Sequence, residues 1–272
     1  MITKIDKEKL NKFNSGDIKA VIFDLWGTLV KDESIDESRK FLNKLNKIYL
    51  SIKSINCVYN YLYKLSKRPS TKLNIELPGR INFISKFFKI IMSEYQESLK
   101  RQEQIELDKV FNRIFNSLNI KLNNSQLTEV LGEYYKSWSN MTKLYDDVLP
   151  TLVYIHNKGI KLALISNTIF EGKLHDSDLK RLGIFEYFDF TIYSSDVGVR
   201  KPEPKIFKVA LEKLKVNPDK AIFVGDRLYD DIKGAKSVGM TAILKEKGTY
   251  TGEEEIVPDL VIKNISDLKL YL

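Results

Sequence analysis

Four short apolar runs, each ending in polar residues, constrain the fold of this chain more than any other feature. They are AVIFD at 20–24, KLALIS at 161–166, Phe190–Ser194 and AIFVGD at 221–226. Such runs read as buried strands of a parallel sheet, covered on both faces. Helical patterns stand between them: Val148–Lys158 (closed by Gly159), Lys205–Leu214 and Asp231–Val238. Thr241–Leu244 and Leu260–Ile262 read as further strands. Strands alternating with helices predict an α/β fold, a doubly wound parallel sheet with a Rossmann-like arrangement.

The stretch between the first two strands has another character. Apolar residues recur there at three- and four-residue spacing, as in Phe41, Leu45, Ile48 and Ile52, then Phe83, Phe87, Ile90 and Ile91. That is the amphipathic-helix pattern, and it predicts helices over about Glu33–Tyr63 and Ile81–Leu118. Pro69 and Pro78-Gly79 separate the two blocks. A third helix is predicted over Ser125–Trp138, with Ser125 as its cap. No strong strand signal interrupts this region. The predicted organisation is a core made of residues 1–30 and 145–272, with an all-helical cap domain of residues 31–144 inserted after the first strand.

Charge and composition narrow the function classes. The net charge is +8, and residues 31–144 hold 20 Lys/Arg against 12 Asp/Glu, so the whole excess falls in the helical stretch. Solvated helix faces account for such a balance, and so does a positive wall that attracts a small anionic substrate. Nucleic acid is disfavoured as a partner, because the aromatic residues follow helical spacing and not a stacking pattern. No apolar run approaches the roughly 18–20 residues of a membrane span. The first residues, MITKIDKEKLNKFNSGD, are polar and lack a signal-peptide core. Cys57 is the one cysteine and has no partner for an internal disulfide. These features predict a cytoplasmic protein in a reducing compartment.

Ligands of open α/β sheets bind beyond the carboxyl ends of the strands. The residues there are Asp24, with Leu25-Trp26-Gly27-Thr28 behind it; Ser166-Asn167-Thr168; Arg200-Lys201-Pro202; and Gly225-Asp226, with Asp230-Asp231 following. Carboxylates, a hydroxyl and an ammonium gathered in one crevice suit phosphoryl chemistry. A carboxylate attacks phosphorus, a hard cation held by carboxylates neutralises the phosphate, and hydroxyl, amide and Lys donors hold its oxygens.

The strings FDLWGTLV, ALISNT, GVRKPEPKIF and IFVGDRLYDDIKGAKSVGM resemble, in order, the four motifs of the haloacid dehalogenase (HAD) superfamily. The resemblance covers roughly 18–30 and 145–265. It implies that Asp24 is a covalent nucleophile and that Lys201 neutralises it and the intermediate. It implies that Ser166, Asn167 and Thr28 contact the substrate's phosphoryl group. It also implies a Mg²⁺ cofactor held by Asp24, the main-chain carbonyl of Trp26 and Asp226, with Asp231 supporting. Asp230 reads as a solvated acid at a helix start. His156 and His175 lie off the motifs and read as structural or exposed, and Trp138 reads as part of the cap core.

One position departs from the family pattern. Phosphatases of the superfamily carry a second Asp two residues after the nucleophile, as the acid that protonates the leaving group. Here Trp26 occupies that place, and an indole cannot do that work. Three readings follow. The first is a Mg²⁺-dependent phosphatase of a small phosphorylated metabolite that lacks the usual acid. The second is a catalytically weakened protein that binds a phosphorylated ligand or a partner. The third is a 2-haloacid dehalogenase, with Arg39 or Arg80 as a halide donor, although Gly225-Asp226 is a metal-binding pair that dehalogenases lack.

Overall fold

The structure is a computed structural model that describes residues 18–32, 40–67, 76–101, 105–140, 142–246 and 255–272. The chain divides into two compact units, Met1–Asp32 with Lys143–Leu272, and Glu33–Thr142.

The first unit is built on a six-stranded parallel sheet, ordered β5-β4-β1-β6-β7-β8. Its strands are β1 (Ala20–Phe23), β4 (Lys161–Ser166), β5 (Phe190–Tyr193), β6 (Ala221–Gly225), β7 (Thr241–Lys245) and β8 (Leu260–Ile262). Side chains alternate between two apolar layers, as the two-residue strand period requires. Val21 and Phe23 join Leu162, Leu164, Ile222 and Val224 on one face, and Ala20 and Ile22 join Ala163, Ile165 and Phe223 on the other. Helix α5 (Val148–Asn157) covers the first face with Val148, Leu152 and Ile155. The short helix α7 (Ser194–Val197) follows β5, and helix α8 (Pro204–Leu214) covers the second face with Ile206, Phe207, Ala210 and Leu211. Each such aliphatic side chain removed from water contributes about 1.5–3 kcal/mol, so the central strand is held from both sides.

The strand order places the site. From β1 the chain steps outward to β4 and β5, then returns to the other side of β1 through β6, β7 and β8. Direction reverses at β1, and ligands of such sheets bind beyond the carboxyl ends of the strands at this point.

The second unit consists of α1 (Lys40–Ser66), α2 (Arg80–Arg101), α3 (Leu107–Ser117) and α4 (Asn124–Ser139). Aromatic residues four apart stack on one face of a helix, and three such pairs make the core: Phe83 with Phe87, Phe111 with Phe115, and Tyr134 with Trp138. Phe87 sits at the centre, with ring centroids 5.0 Å from Phe111 and 6.1 Å from Tyr134.

Several local expectations shift. Residues 33–39 lie outside the described residues, so the start of the first helix is not placed. The helix expected over Ile81–Leu118 is two helices, because Glu106 takes an extended conformation before α3. No Gly or Pro marks that break, so the periodicity runs through it. Helix α4 is capped by Asn123 and not by Ser125. The Asn123 side chain accepts from the Gln126 N–H, and the Gln126 side chain accepts from the Asn123 N–H. The helix expected at Asp231 starts earlier, with a π-helical turn at Leu228–Lys233 that leads into α9 (Gly234–Ser237). Its wide turn lets Asp231 N and Ile232 N share the Arg227 carbonyl. Two strands also went unsignalled, β2 (Val30–Asp32) and β3 (Thr142–Leu144), which pair with each other. Three residues are too few to show a period.

Candidate active site

Asp24 follows β1 directly, and its N–H is bonded to the Val224 carbonyl of β6. That bond extends the ladder by one residue and fixes the carboxylate at the strand end. Gly27, with φ +86, turns the chain sharply, and Thr28, Leu29 and Val30 N–H groups all return to the Leu25 carbonyl. The turn puts the Thr28 hydroxyl 3.1 Å from Asp24 Oδ2 as a donor. Thr28 is fully buried. That bond steadies the Asp24 carboxylate.

Lys201 is 1% exposed and makes three bonds through one ammonium. Its Nζ lies 2.7 Å from Asp24 Oδ1, 2.6 Å from Asp231 Oδ1 and 3.0 Å from the Ile165 carbonyl. An ammonium has three hydrogens, so each finds an acceptor. Asp231 uses its second oxygen to accept from the Arg227 N–H. Its neighbour Asp230 turns away to Arg227, 2.9 Å distant. A side chain at Gly225 would collide with Asp231, so the approach of the two elements needs glycine.

Burial pushes the Asp231 carboxyl up to about 7, helped by the charges of Asp24 and Asp226 and opposed by Lys201. Asp24 is raised for the same leading reason, with Lys201 opposing. Burial alone would lower the Lys201 ammonium, but Asp231 and Asp24 outweigh it and hold it above its ordinary value. The ammonium therefore stays charged, and the cluster is an ion-paired anion centre.

Asp226 completes the cluster. One carboxylate oxygen each from Asp24, Asp226 and Asp231 lie within 4.8 Å of one another. A set of hard oxygen donors at this spacing fits a divalent cation of the Mg²⁺ type.

Ser166 ends β4, the strand beside β1, and is almost fully buried. The Asn167 side chain is engaged with the main chain of Lys201, donating to its carbonyl (2.9 Å) and accepting from its N–H (2.8 Å). Asn167 thus fastens the Lys201 segment to β4, a role beyond the phosphate contact expected of it. The Lys201-Pro202 peptide is cis. Trp26 packs against the apolar layer around β1 and bridges to Val30. Arg80 belongs to the second unit, where it lies over the Tyr59 ring at 5.0 Å. Arg39 lies outside the described residues.

His175, which the sequence reads as structural or exposed, is buried on α6 (Gly172–Arg181), lies 2.6 Å from the Thr168 hydroxyl and stacks on Tyr193. Burial pushes it down to about 4, against the charges of Asp178, Asp176 and Asp196. Sequence reasoning overlooked Lys245. It is buried at the end of β7, with its Nζ 3.4 Å from the Gly27 carbonyl and 3.6 Å from the centroid of the Tyr145 ring. Its signal was visible, because a lysine closing an apolar strand is unusual at a buried position.

A sequence model of haloacid dehalogenase-like hydrolases matches residues 18–239. The chain belongs to that family. Among HAD-like relatives, the glyceraldehyde 3-phosphate phosphatase of Methanopyrus kandleri is 38% identical over 46% of this chain and 55% of its own length. The phosphoserine phosphatase of Thermus thermophilus is 30% identical over 47% of this chain and 50% of its own. The chain thus spans about half the length of these curated relatives. Among solved HAD-like structures, a HAD phosphatase from Thermococcus onnurineus superposes over 93% of this chain and 96% of its own, with a TM-score of 0.59 and 26% identity. A 2-haloacid dehalogenase from Pseudomonas syringae matches with a TM-score of 0.61 at 24% identity, over 93% of this chain and 96% of its own; it shows the shared fold. Among the described residues, no helix is long and apolar enough to cross a membrane.

Proposed function

We propose that this HAD-like chain is a Mg²⁺-dependent phosphatase of a small phosphorylated metabolite, working through an aspartyl-phosphate on Asp24. The observation that carries the reading is the cluster of Asp24, Asp226 and Asp231 around Lys201 at the carboxyl end of β1. The phosphatase names of the relatives support it.

Asp24, Asp226 and the Trp26 carbonyl hold the metal in this reading, and Asp231 supports them while it orients Lys201. Mg²⁺, when bound, supplies charge that offsets the phosphate's own. Asp24 attacks phosphorus, the bond to the leaving oxygen breaks, and the phosphoryl group passes to the carboxylate. The Ser166 hydroxyl and the Asn167 N–H hold its oxygens, and the Lys201 charge neutralises Asp24 and the intermediate. Water then attacks the phosphorus of the acyl phosphate, which frees inorganic phosphate and regenerates the Asp24 carboxylate. The residues beyond β1 offer no acid at position 26. Leaving groups that depart without a proton, such as acyl and aryl phosphates, are therefore the preferred substrates. The helical unit acts as the cap that selects among them, and the core is soluble in the cytoplasm.

The test is release of phosphate from acetyl phosphate and p-nitrophenyl phosphate in Mg²⁺. Activity is expected in the wild type, none in Asp24→Asn, and none in EDTA. Trp26→Asp is expected to raise turnover of alkyl phosphates, since general acid catalysis contributes about 10²–10⁴-fold. No turnover across a broad panel of phosphorylated metabolites overturns the reading. Trp26 favours one second reading, a weakened protein that retains a phosphorylated ligand. Ligand capture that survives Asp24→Asn without any turnover establishes it. Halide release from 2-chloropropionate in EDTA marks a dehalogenase instead.

A further inference from the structure

Thr168, two residues beyond Ser166, is tied by every polar group it owns. Its N–H donates to the Ser194 hydroxyl at 2.9 Å, and the same hydroxyl donates back to its carbonyl at 3.1 Å. Its own hydroxyl lies 2.6 Å from His175 Nε2 and accepts from the Phe170 N–H at 3.0 Å. Just upstream, Asn167 is fastened to the Lys201 main chain. Among the described residues, no hydrogen bond engages the Ser166 hydroxyl or the Asn167 N–H. Two donors thus remain available on a stretch whose flanks are bonded on both sides.

Resting on the reading of these strand ends as a phosphate site, we propose that Thr168, His175 and Ser194 form a clamp that aims the Ser166 hydroxyl and the Asn167 N–H at phosphoryl oxygens. They are positioning residues, and none touches the substrate. The physical argument is preorganisation: donors held in place before the anion arrives lose little on binding, whereas donors on a loose loop must be ordered first. The clamp is itself braced. His175 stacks on Tyr193 with ring centroids 5.2 Å apart. The Tyr193 hydroxyl donates to Asp176 at 2.8 Å, which ties β5 to α6. A side chain at Gly172 would strike Tyr193 and Asp196, so the loop can close on β5 only through glycine. Burial keeps His175 neutral near pH 7, and a neutral ring shares one hydrogen with Thr168 without bringing a charge beside the anion site.

The experiment is titration of inorganic phosphate into the full chain with saturating Mg²⁺, and of Mg²⁺ alone. Thr168→Val removes the hydroxyl but keeps the shape, and is expected to weaken phosphate binding by about tenfold, the effect of one lost hydrogen bond. Thr168→Ser restores the hydroxyl and is expected to bind within about twofold of wild type. His175→Phe is expected to match Thr168→Val, and the double variant to lose little more, because the two residues form one contact. Affinity for Mg²⁺ alone is expected to stay unchanged in all of them. Ser194→Ala loosens the Thr168 peptide from the other side and serves if Thr168→Val fails to fold. Unchanged phosphate affinity in Thr168→Val, equal losses in Thr168→Ser, or a parallel loss of Mg²⁺ affinity overturns the clamp alone. Wild type that takes up no phosphate overturns the phosphate reading, and the clamp with it.

Discussion

The two units of this protein bury opposite kinds of side chain. The α/β unit encloses Lys201, Asp24 and Asp231, all nearly inaccessible, with the ammonium bonded to both carboxylates. The helical unit encloses rings, with Phe83, Phe87 and Phe111 fully buried around one another. Buried charge is a poor source of stability, since desolvation offsets most of the attraction. Buried rings are an efficient source, at roughly 0.5–1.5 kcal/mol per pair beyond the area they cover. The difference teaches that the α/β unit accepts a cost at its centre for the sake of chemistry, while the helical core is optimised for packing.

The sharpest way to break this contrast is Lys201→Met. It leaves two buried carboxylates facing each other, and removing one partner of such a pair typically costs about 3–5 kcal/mol. Stability measured by urea unfolding in EDTA is expected to fall by that order. Because burial already raises Asp24 and Asp231, the loss is expected to grow as pH rises and the carboxylates ionise. Phosphate release is expected to drop by at least about 10²-fold, as when a charge-stabilising donor is removed from an active site.

Phe87→Ala makes the matching attack on the helical unit. It opens the centre of the ring cluster and is expected to cost about 3–5 kcal/mol. Proteolysis within residues 76–101 should accelerate accordingly, and Mg²⁺ affinity at the acidic cluster should not change. A loss of Mg²⁺ affinity would show that the two interiors are not independent.

A smaller effect concerns pH. His175 is held down to about 4, against 6.5 for the free side chain, by burial within reach of Asp176, Asp178 and Asp196 and beneath Tyr193. Between these values the unfolded chain takes up a proton that the folded chain refuses. Stability is therefore complete above pH 6.5 and declines as pH falls toward 4, by up to about 3 kcal/mol. His175→Gln should flatten the wild-type slope in that window; parallel slopes would refute the assignment. The smallest expected change is Asn123→Ala, which removes one half of the capping box of α4 and should cost about 1 kcal/mol by thermal unfolding.

Much of the α/β sheet was legible in the sequence because its strands are short, wholly apolar and bounded by polar turns. AVIF at 20–23 shows this, where both faces are covered and every side chain is buried. Asp24, Lys201 and Asp226 were legible because each follows such a strand or its adjoining loop. The break between α2 and α3 was not, since Glu106 is extended without any Gly or Pro to announce it. The cap of α4 was misplaced by two residues, because Asn123, Asn124 and Ser125 all suit the role and only the Gln126 contact decides among them. The clamp around Thr168 was hidden for a further reason. His175, Ser194 and Thr168 meet through the folding of α6 and β5 onto one loop, and no spacing along the chain records that meeting.

The place of β1 in the sheet has a consequence for how the protein is made. The strand is central, yet Ala20 pairs with Lys161 on one side and Ala221 on the other. As the ribosome delivers the chain, AVIF emerges before both of its neighbours and has no partner until the helical stretch and then β4 have followed. Contacts between residues so distant form slowly, because the intervening loop must close first. During that interval a greasy segment stands ready to join a neighbouring chain. The helical stretch, whose contacts lie within a continuous sequence, can fold during the same wait. Yield from synthesis, rather than stability once folded, is then the quantity most sensitive to the apolar character of residues 20–23, and polar substitutions there should be felt first as aggregation.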